Sequence, residues 1–548
     1  MLQQNLIKNF EKSFLGNWEL PALSDYFKNE TFTYGMVAEE IARLHILFEC
    51  CKIKKGDKVA VLGRNNTRWC ISYLAVITYG GVVVPILQDF NSDDIHHILN
   101  HSEALSIFAG DQYWDMINPP DVEKIRSAFS LTDFSCLFGN AKKIQDELNK
   151  KFTEKYPDGF RKEHVNYPDI DNKEMVMINY TSGTTGFTKG VMISANNLMG
   201  NVQFGIDARL SSSGEKCLSF LPLAHAFGCA FDFLYAISVG VHITLLGKIP
   251  SPKVLVEALK TVKPKVIFTV PLIMEKIYKK QILPALERKT IKMALKLPFV
   301  SELIFEKIKK QLVDVFGGNF TQVIIGWAPL NPEVEDFLYK IKFPFTVGYG
   351  MTECAPLISY SYYKEFVPRS CGRPIKFMEV RIDSEQPSLI PGEIQVRGEN
   401  VMIGYYKDDE ATKKIFTDDG WLRTGDIATI GQDNSLFIRG RSKNMILSSN
   451  GQNIYPEEIE YKSNNMPCVV ESIVVERNGR LVALVYPDYD YMDKNIISEK
   501  EMEVLMNRNK DLLNSTLPVY EKISDIVIYP TEFEKTPKKS IKRYLYNI

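Results

Sequence analysis

Cysteine is sparse and unpatterned in this 548-residue chain. Nine are scattered from Cys50 to Cys468, odd in number and nowhere spaced Cys-x-x-Cys. Neither a disulfide framework nor a zinc ribbon is supported, and a reducing compartment is the simple expectation. Charge of one sign is not in excess: 66 Lys and Arg stand against 67 Asp and Glu, a formal net charge of −1. That balance argues against a dedicated nucleic-acid binder, which needs a basic surplus. Long hydrophobic runs are missing too. The longest apolar stretch, Leu74 to Leu87, is too short for a bilayer and contains Pro85 and two glycines. The opening residues interrupt their apolar positions with Lys, Glu and Asn, unlike a signal peptide. Together these absences predict a soluble, cytoplasmic protein. What remains is ordinary globular composition, 45% hydrophobic and 24% charged. At about 150 residues per domain, the length suggests three or four folding units, or two large ones.

Along the chain, KVAVLG at 58–63, an apolar-periodic segment at 69–79 and GVVVPI at 81–86 read as strand, helix, strand. Further strands are expected at 175–180, 241–246, 265–271, 322–327 and 344–350, with helical patterns between most of them. This alternation predicts an α/β protein with mixed or doubly wound sheets. From about residue 370 the pattern changes to short strands and turns, a β-rich subdomain. The last hundred residues read as a small α+β unit. Pro456 there suits a first helical position, and Asn478–Gly479 joins two apolar runs as a hairpin. The expected division is 1–440 and 441–548. Residues 157–173, rich in Asp, Pro and Asn, read as a surface connection.

Tyr180 to Gly190 spells YTSGTTGFTKG directly after an apolar strand. Glycines permit close backbone approach, hydroxyls and backbone N–H groups can donate, and Lys189 adds a cation, a combination suited to phosphate oxygens. It is not a Walker loop, because Thr188 precedes the lysine and Gly190 follows it. A flexible linker is the alternative. Six further motifs follow in order: PLAHAFG at 222–228, GWAPL at 326–330, GYGMTE at 348–353, TGD at 424–426, GRSKNMI at 440–446 leading into NGQNIYPEEIE, and EKTPKKSIKR at 534–543. In this order and spacing they resemble the adenylate-forming (AMP-binding) superfamily. PLNPEVEDF, NGQNIYPEEIE and EKTP are most similar to long-chain fatty acyl-CoA synthetases.

The resemblance implies activation of a carboxylic acid by ATP to an acyl-adenylate with release of pyrophosphate, then thioester formation with CoA. It implies that Thr181, Ser182, Gly183, Thr184, Thr185, Gly186 and Lys189 hold phosphates, and that Glu353 binds Mg²⁺. Gly326, Tyr349, Gly350, Met351 and Thr352 would line the nucleotide site, while Asp426 would take the ribose hydroxyls beside Arg441. His225, Phe227 and Trp327 would border the acyl pocket. Lys443 would be the hinge, and Gly451, Gln452 and Asn453 would meet CoA. Read without the family, Glu353 is a solvated glutamate, Thr-Gly-Asp a turn and His225 a core histidine. His97 and His101 form an i, i+4 pair with no carboxylate or cysteine pattern to make a metal site.

Two residues depart from the family pattern. Ser540 occupies the position of the terminal catalytic lysine, leaving Lys539 or Lys542 as substitutes. Trp327 replaces a glycine beside the acyl pocket and should narrow it. The competing readings are ligation to an acyl carrier protein, and a weakly active homologue that only binds nucleotide or acyl chain. Residues 276–310 hold ten Lys and Arg against three Glu among apolar residues. That pattern suits either a solvated helical face or peripheral contact with an anionic membrane.

Overall fold

The computed structural model describes the chain except for residues 1, 3, 140, 182–187, 248–250, 287, 296, 327, 448–451, 537–539 and 547–548. The first βαβ unit is present as the strand Lys58–Leu62, the helix Thr67–Tyr79 and the strand Val82–Ile86. Asn66 caps the helix by accepting from Trp69 N at 2.7 Å, satisfying one of the orphan donors of its first turn. Eleven of its thirteen residues are buried, so it is hydrophobic on nearly every side, as a helix enclosed by the core must be.

The strands Lys58–Leu62 and Val82–Ile86 sit at the centre of an eight-stranded sheet. Its order runs Gly404–Tyr405, Lys189–Ser194, Met175–Thr181, Val82–Ile86, Lys58–Leu62, Ser106–Ala109, Ser127–Ser130 and Cys136–Phe138. The five strands from Met175–Thr181 to Ser127–Ser130 are parallel, while both edges turn antiparallel. A four-stranded sheet carries Lys216–Ser219, His242–Leu245, Pro21–Asp25 and Glu30–Thr33, and a three-stranded parallel sheet carries Val266–Thr269, Gln322–Ile325 and Phe345–Val347. The expected short-strand region is an antiparallel sheet of Met378–Asp383, Gly392–Gly398, Leu422–Ile430 and Leu436–Arg441. The fold is mixed α/β as expected.

One continuous hydrophobic cluster extends from Leu6 to Leu436. Two separate clusters draw only on residues from Ile454 to Tyr546. The C-terminal hairpin pairs Val469–Arg477 with Arg480–Pro487 around Asn478–Gly479, and Pro456 is the first residue of a helix ending at Ser463. Residues 157–173 do form a connection, but a surface reading is incomplete: Val165, Tyr167 and Ile170 are buried in the large core.

Candidate active site

The parallel strand Met175–Thr181 delivers its C-terminal end to the edge where ligands of open α/β sheets bind. The chain then reverses, and Thr181 pairs with Lys189 across the antiparallel strand Lys189–Ser194. The expected phosphate loop bridges these two strand ends. Its residues Ser182, Gly183, Thr184, Thr185 and Gly186 lie outside the described residues. Tyr180 anchors the loop's base: it is buried, and its hydroxyl is 2.8 Å from His101 Nδ1. The i, i+4 pair of His97 and His101 stacks at 5.6 Å between ring centroids. This pair therefore supports the loop-bearing strand through Tyr180.

Asp426 and Arg441 are register partners in adjacent antiparallel strands. Arg441 Nε donates to Asp426 Oδ1 at 2.9 Å, and the Tyr349 hydroxyl donates to Oδ2 at 2.7 Å. The aspartate is buried, whereas Arg441 exposes 59% of its side chain. Burial pushes the Asp426 carboxyl upward, while Arg441 and the Tyr349 hydrogen bond oppose that shift. Asp426 raises the Arg441 guanidinium in turn. The result is a carboxylate with fixed orientation at a strand that also positions Thr424, whose hydroxyl donates to Ile394 O at 2.8 Å and accepts from Asp426 N at 3.1 Å.

Glu353 belongs to a 3₁₀ turn, Thr352–Cys354, directly after the strand Tyr349–Gly350. Gly350 is required there: a Cβ would lie 2.2 Å from Pro356 O. The Tyr405 hydroxyl donates to Glu353 Oε1 at 2.9 Å, and Lys189 Nζ lies 4.7 Å from the centroid of the same ring. Burial and Glu353 both push the Tyr405 phenol above its ordinary range. Glu353 also raises Asp426 electrostatically, so the two acidic groups share one neighbourhood. Thr352 is buried and Met351 is half-buried beside them. Hard carboxylate oxygens are chemically suited to hold a divalent cation.

Asparagines hold the loop that carries His225. Asn65 donates to Leu221 O at 2.7 Å and accepts from Leu223 N at 3.0 Å, and Asn179 donates to Ala224 O at 3.2 Å. His225 is buried, with Nδ1 3.4 Å from Phe227 N. Phe227 packs edge-on against Phe231 and Phe268, each at 5.9 Å between centroids. A Cβ on Gly326 would lie 3.0 Å from the Phe227 ring, so this glycine allows the GWAPL segment to approach the aromatic wall. Phe231 stands on a π-helix, Gly228–Tyr235, a wider turn that sequence periodicity did not signal. Trp327 lies outside the described residues.

Lys443, Gln452 and Asn453 are exposed, with Asn453 in a two-residue strand paired with Ile446–Leu447. Gly451 and Lys539 lie outside the described residues. Ser540 is exposed, and its carbonyl accepts from Thr536 N at 2.8 Å. Lys542 pairs with Glu534 at 3.3 Å, and Lys535 pairs with Glu471 at 2.7 Å.

Tyr405, Asn65, Asn179 and the His101 contact were not singled out in the sequence. Tyr405 lies in Gly-Tyr-Tyr after a β-rich stretch, and no local pattern links it to Glu353, 52 residues earlier.

A model of the AMP-binding enzyme family matches residues 10–406. The chain is 27% identical over 454 residues to a long-chain-fatty-acid–CoA ligase from Mycobacterium bovis, covering 77% of this chain and 71% of the relative. It is 28% identical over 500 residues to long chain acyl-CoA synthetase 3 of Arabidopsis thaliana, covering 83% and 73%. In fold it is similar to ATP-bound MatB from Rhodopseudomonas palustris, with TM-score 0.77 and 21% identity over 99% of this chain and 98% of that one. It is also similar to an o-succinylbenzoate CoA synthetase from Bacillus subtilis holding its acyl-adenylate, with TM-score 0.74 and 18% identity over 99% and 98%. With the Asp426 and Glu353 groups converging beside the loop-bearing strand, and a family model spanning most of its length, the chain belongs to the AMP-binding enzyme family.

Proposed function

We propose that the protein is an AMP-forming acyl-CoA ligase acting on fatty acids. Fatty acid and ATP form acyl-AMP and pyrophosphate; the CoA thiol then displaces AMP to give the thioester. The observation that carries this reading is the convergence of two preorganised groups, Tyr349–Asp426–Arg441 and Lys189–Tyr405–Glu353, beside the C-terminal end of one parallel strand. Asp426 accepts the ribose hydroxyls, with Arg441 steadying its charge. Thr181 and Lys189, together with Ser182, Gly183, Thr184, Thr185 and Gly186, take the phosphates. Gly326 and the segment from Tyr349 to Thr352 border the base.

Mg²⁺ supplies charge neutralisation on the phosphates when bound, and Glu353 is the residue that would hold it. Its Oε1 accepts a hydrogen bond from the Tyr405 hydroxyl. A carboxylate attacking a polyanion faces repulsion, and preorganised cations and donors lower that barrier. His225 and Phe227 form the acyl wall, a role also proposed for Trp327, which lies outside the described residues. The aromatic and apolar character of that wall supports a hydrocarbon substrate, as do the relatives named for long-chain fatty acids.

The division into 1–440 and 441–548 is supported by the separate hydrophobic clusters. Lys443, exposed on a short 3₁₀ turn between them, is the hinge, and Gly451, Gln452 and Asn453 meet CoA after rotation. The nine cysteines are all thiols, six of them buried, which supports a reducing, cytoplasmic setting. No helix among the described residues is long and apolar enough to cross a membrane. Leu272, Met293, Leu297 and Leu303 are 50%, 63%, 58% and 73% exposed around the basic segment 276–310. We assign this surface to peripheral contact with anionic bilayers, where fatty acids partition. Flotation with anionic vesicles and not with neutral ones is expected.

The function is tested by ATP–pyrophosphate exchange. Exchange that requires a fatty acid supports the reading, and exchange with no acid of any chain length overturns it. Acceptor identity, CoA or a carrier-protein thiol, decides the second half-reaction.

A further inference from the structure

We infer that Tyr405 is a positioning residue that holds the Mg²⁺-binding carboxylate and the phosphate-loop lysine apart and aligned. The inference rests on the role proposed above for Glu353. The backbone around Tyr405 is tied at both ends of the site. Met402 N donates to Glu353 O at 2.8 Å, Ile403 N to Met192 O at 2.9 Å, and Tyr406 N to Gly190 O at 2.7 Å. Gly404 and Tyr405 pair with Met192 and Val191, so this two-residue strand closes the edge of the large sheet beside Lys189. Tyr405 N donates to Thr412 Oγ1 at 2.9 Å, fixing the residue from behind.

The buried side chain then meets two opposite charges with two different parts. Its hydroxyl donates to Glu353 Oε1, which limits rotation of the carboxylate, and its ring face carries the Lys189 ammonium. Among the described residues no ion pair joins Lys189 to Glu353. Without the aromatic ring between them these groups could close into a salt bridge, and each would lose capacity for its own ligand, phosphate for the lysine and a cation for the glutamate. A hydrogen-bonding partner behind a metal-binding carboxylate typically changes metal affinity about 10- to 100-fold when removed.

Tyr405→Phe removes the hydroxyl and keeps the ring; Tyr405→Leu removes both. The full chain with a non-hydrolysable ATP analogue would be titrated with Mn²⁺, followed by electron paramagnetic resonance. Binding of the analogue without metal would be measured by calorimetry. Tyr405→Phe should weaken Mn²⁺ binding about 10-fold and leave metal-free nucleotide affinity unchanged. Tyr405→Leu should weaken both. A purely structural role would lower both affinities together in Tyr405→Phe, and that result would overturn the inference. So would wild-type Mn²⁺ affinity in Tyr405→Phe. If the wild-type protein binds no Mn²⁺ with nucleotide, the assignment of Glu353 falls as well, which separates the two failures.

Discussion

Asp426→Ala should separate the stability and binding roles of one buried carboxylate. The substitution leaves the Tyr349 hydroxyl, buried and previously 2.7 Å from Asp426 Oδ2, without its acceptor. An unsatisfied buried hydroxyl costs about 1–3 kcal/mol. Arg441 exposes 59% of its side chain, so losing its partner adds no more than about 1 kcal/mol after solvent screening. A stability loss of about 1–4 kcal/mol is therefore expected, most of it arising from the tyrosine. Binding loses a different quantity. Hydrogen bonds from ribose hydroxyls to a carboxylate contribute about 1.5–3 kcal/mol each, or about 10- to 150-fold in ATP affinity per bond. Adding Tyr349→Phe to Asp426→Ala removes the orphaned donor. The double variant should recover most of the stability and none of the ATP affinity. Urea unfolding at constant m-value reads the first quantity and calorimetry with ATP the second. Wild-type ATP affinity in Asp426→Ala would refute the ribose role, and a double variant no more stable than the single one would refute the burial argument.

Ser540→Lys should accelerate acyl-adenylate formation, since Lys542 is held by Glu534 and a serine carries no charge; an unchanged single-turnover rate would show that this position does not limit the chemistry. Trp327→Gly should lengthen the accepted acyl chain, at about 1–3 kcal/mol of discrimination per methylene, and an unaltered chain-length profile would sink the narrowed-pocket reading. His45 carries a pH prediction. Burial pushes its imidazole from 6.5 to about 4, against the hydrogen bond to Ala75 O. The unfolded chain therefore takes up the proton first, and stability present above pH 6.5 is lost as pH falls toward 4. The slope is about 1.4 kcal/mol per pH unit. His45→Gln should lose that increment, so equal acid sensitivity of the two proteins would contradict it.

The motifs were legible because each is contiguous: TGD places Asp426, GYGMTE places Glu353, and the β-branched run at 82–86 is a central strand. The partners of these residues were not. Tyr405 reaches Glu353 through a two-residue edge strand, whose register is fixed by tertiary hydrogen bonds and not by local propensity. The pairing that sets Lys189 opposite Thr181 is a tertiary register that the Gly- and Thr-rich motif between them does not announce. His97 and His101 announced their helical spacing, but Tyr180, the partner of His101, lies 79 residues beyond it. Sequence motifs single out the residues proposed to carry chemistry, and sheet topology determines which of their described side chains meet.

The most direct test incubates the protein with ATP, Mg²⁺, CoA and fatty acids of graded chain length, and follows acyl-AMP and acyl-CoA separately by mass spectrometry. The account predicts acyl-AMP that accumulates without CoA and converts to acyl-CoA when CoA is added, with an optimum at one chain length. Nucleotide binding with neither product from any fatty acid would contradict it.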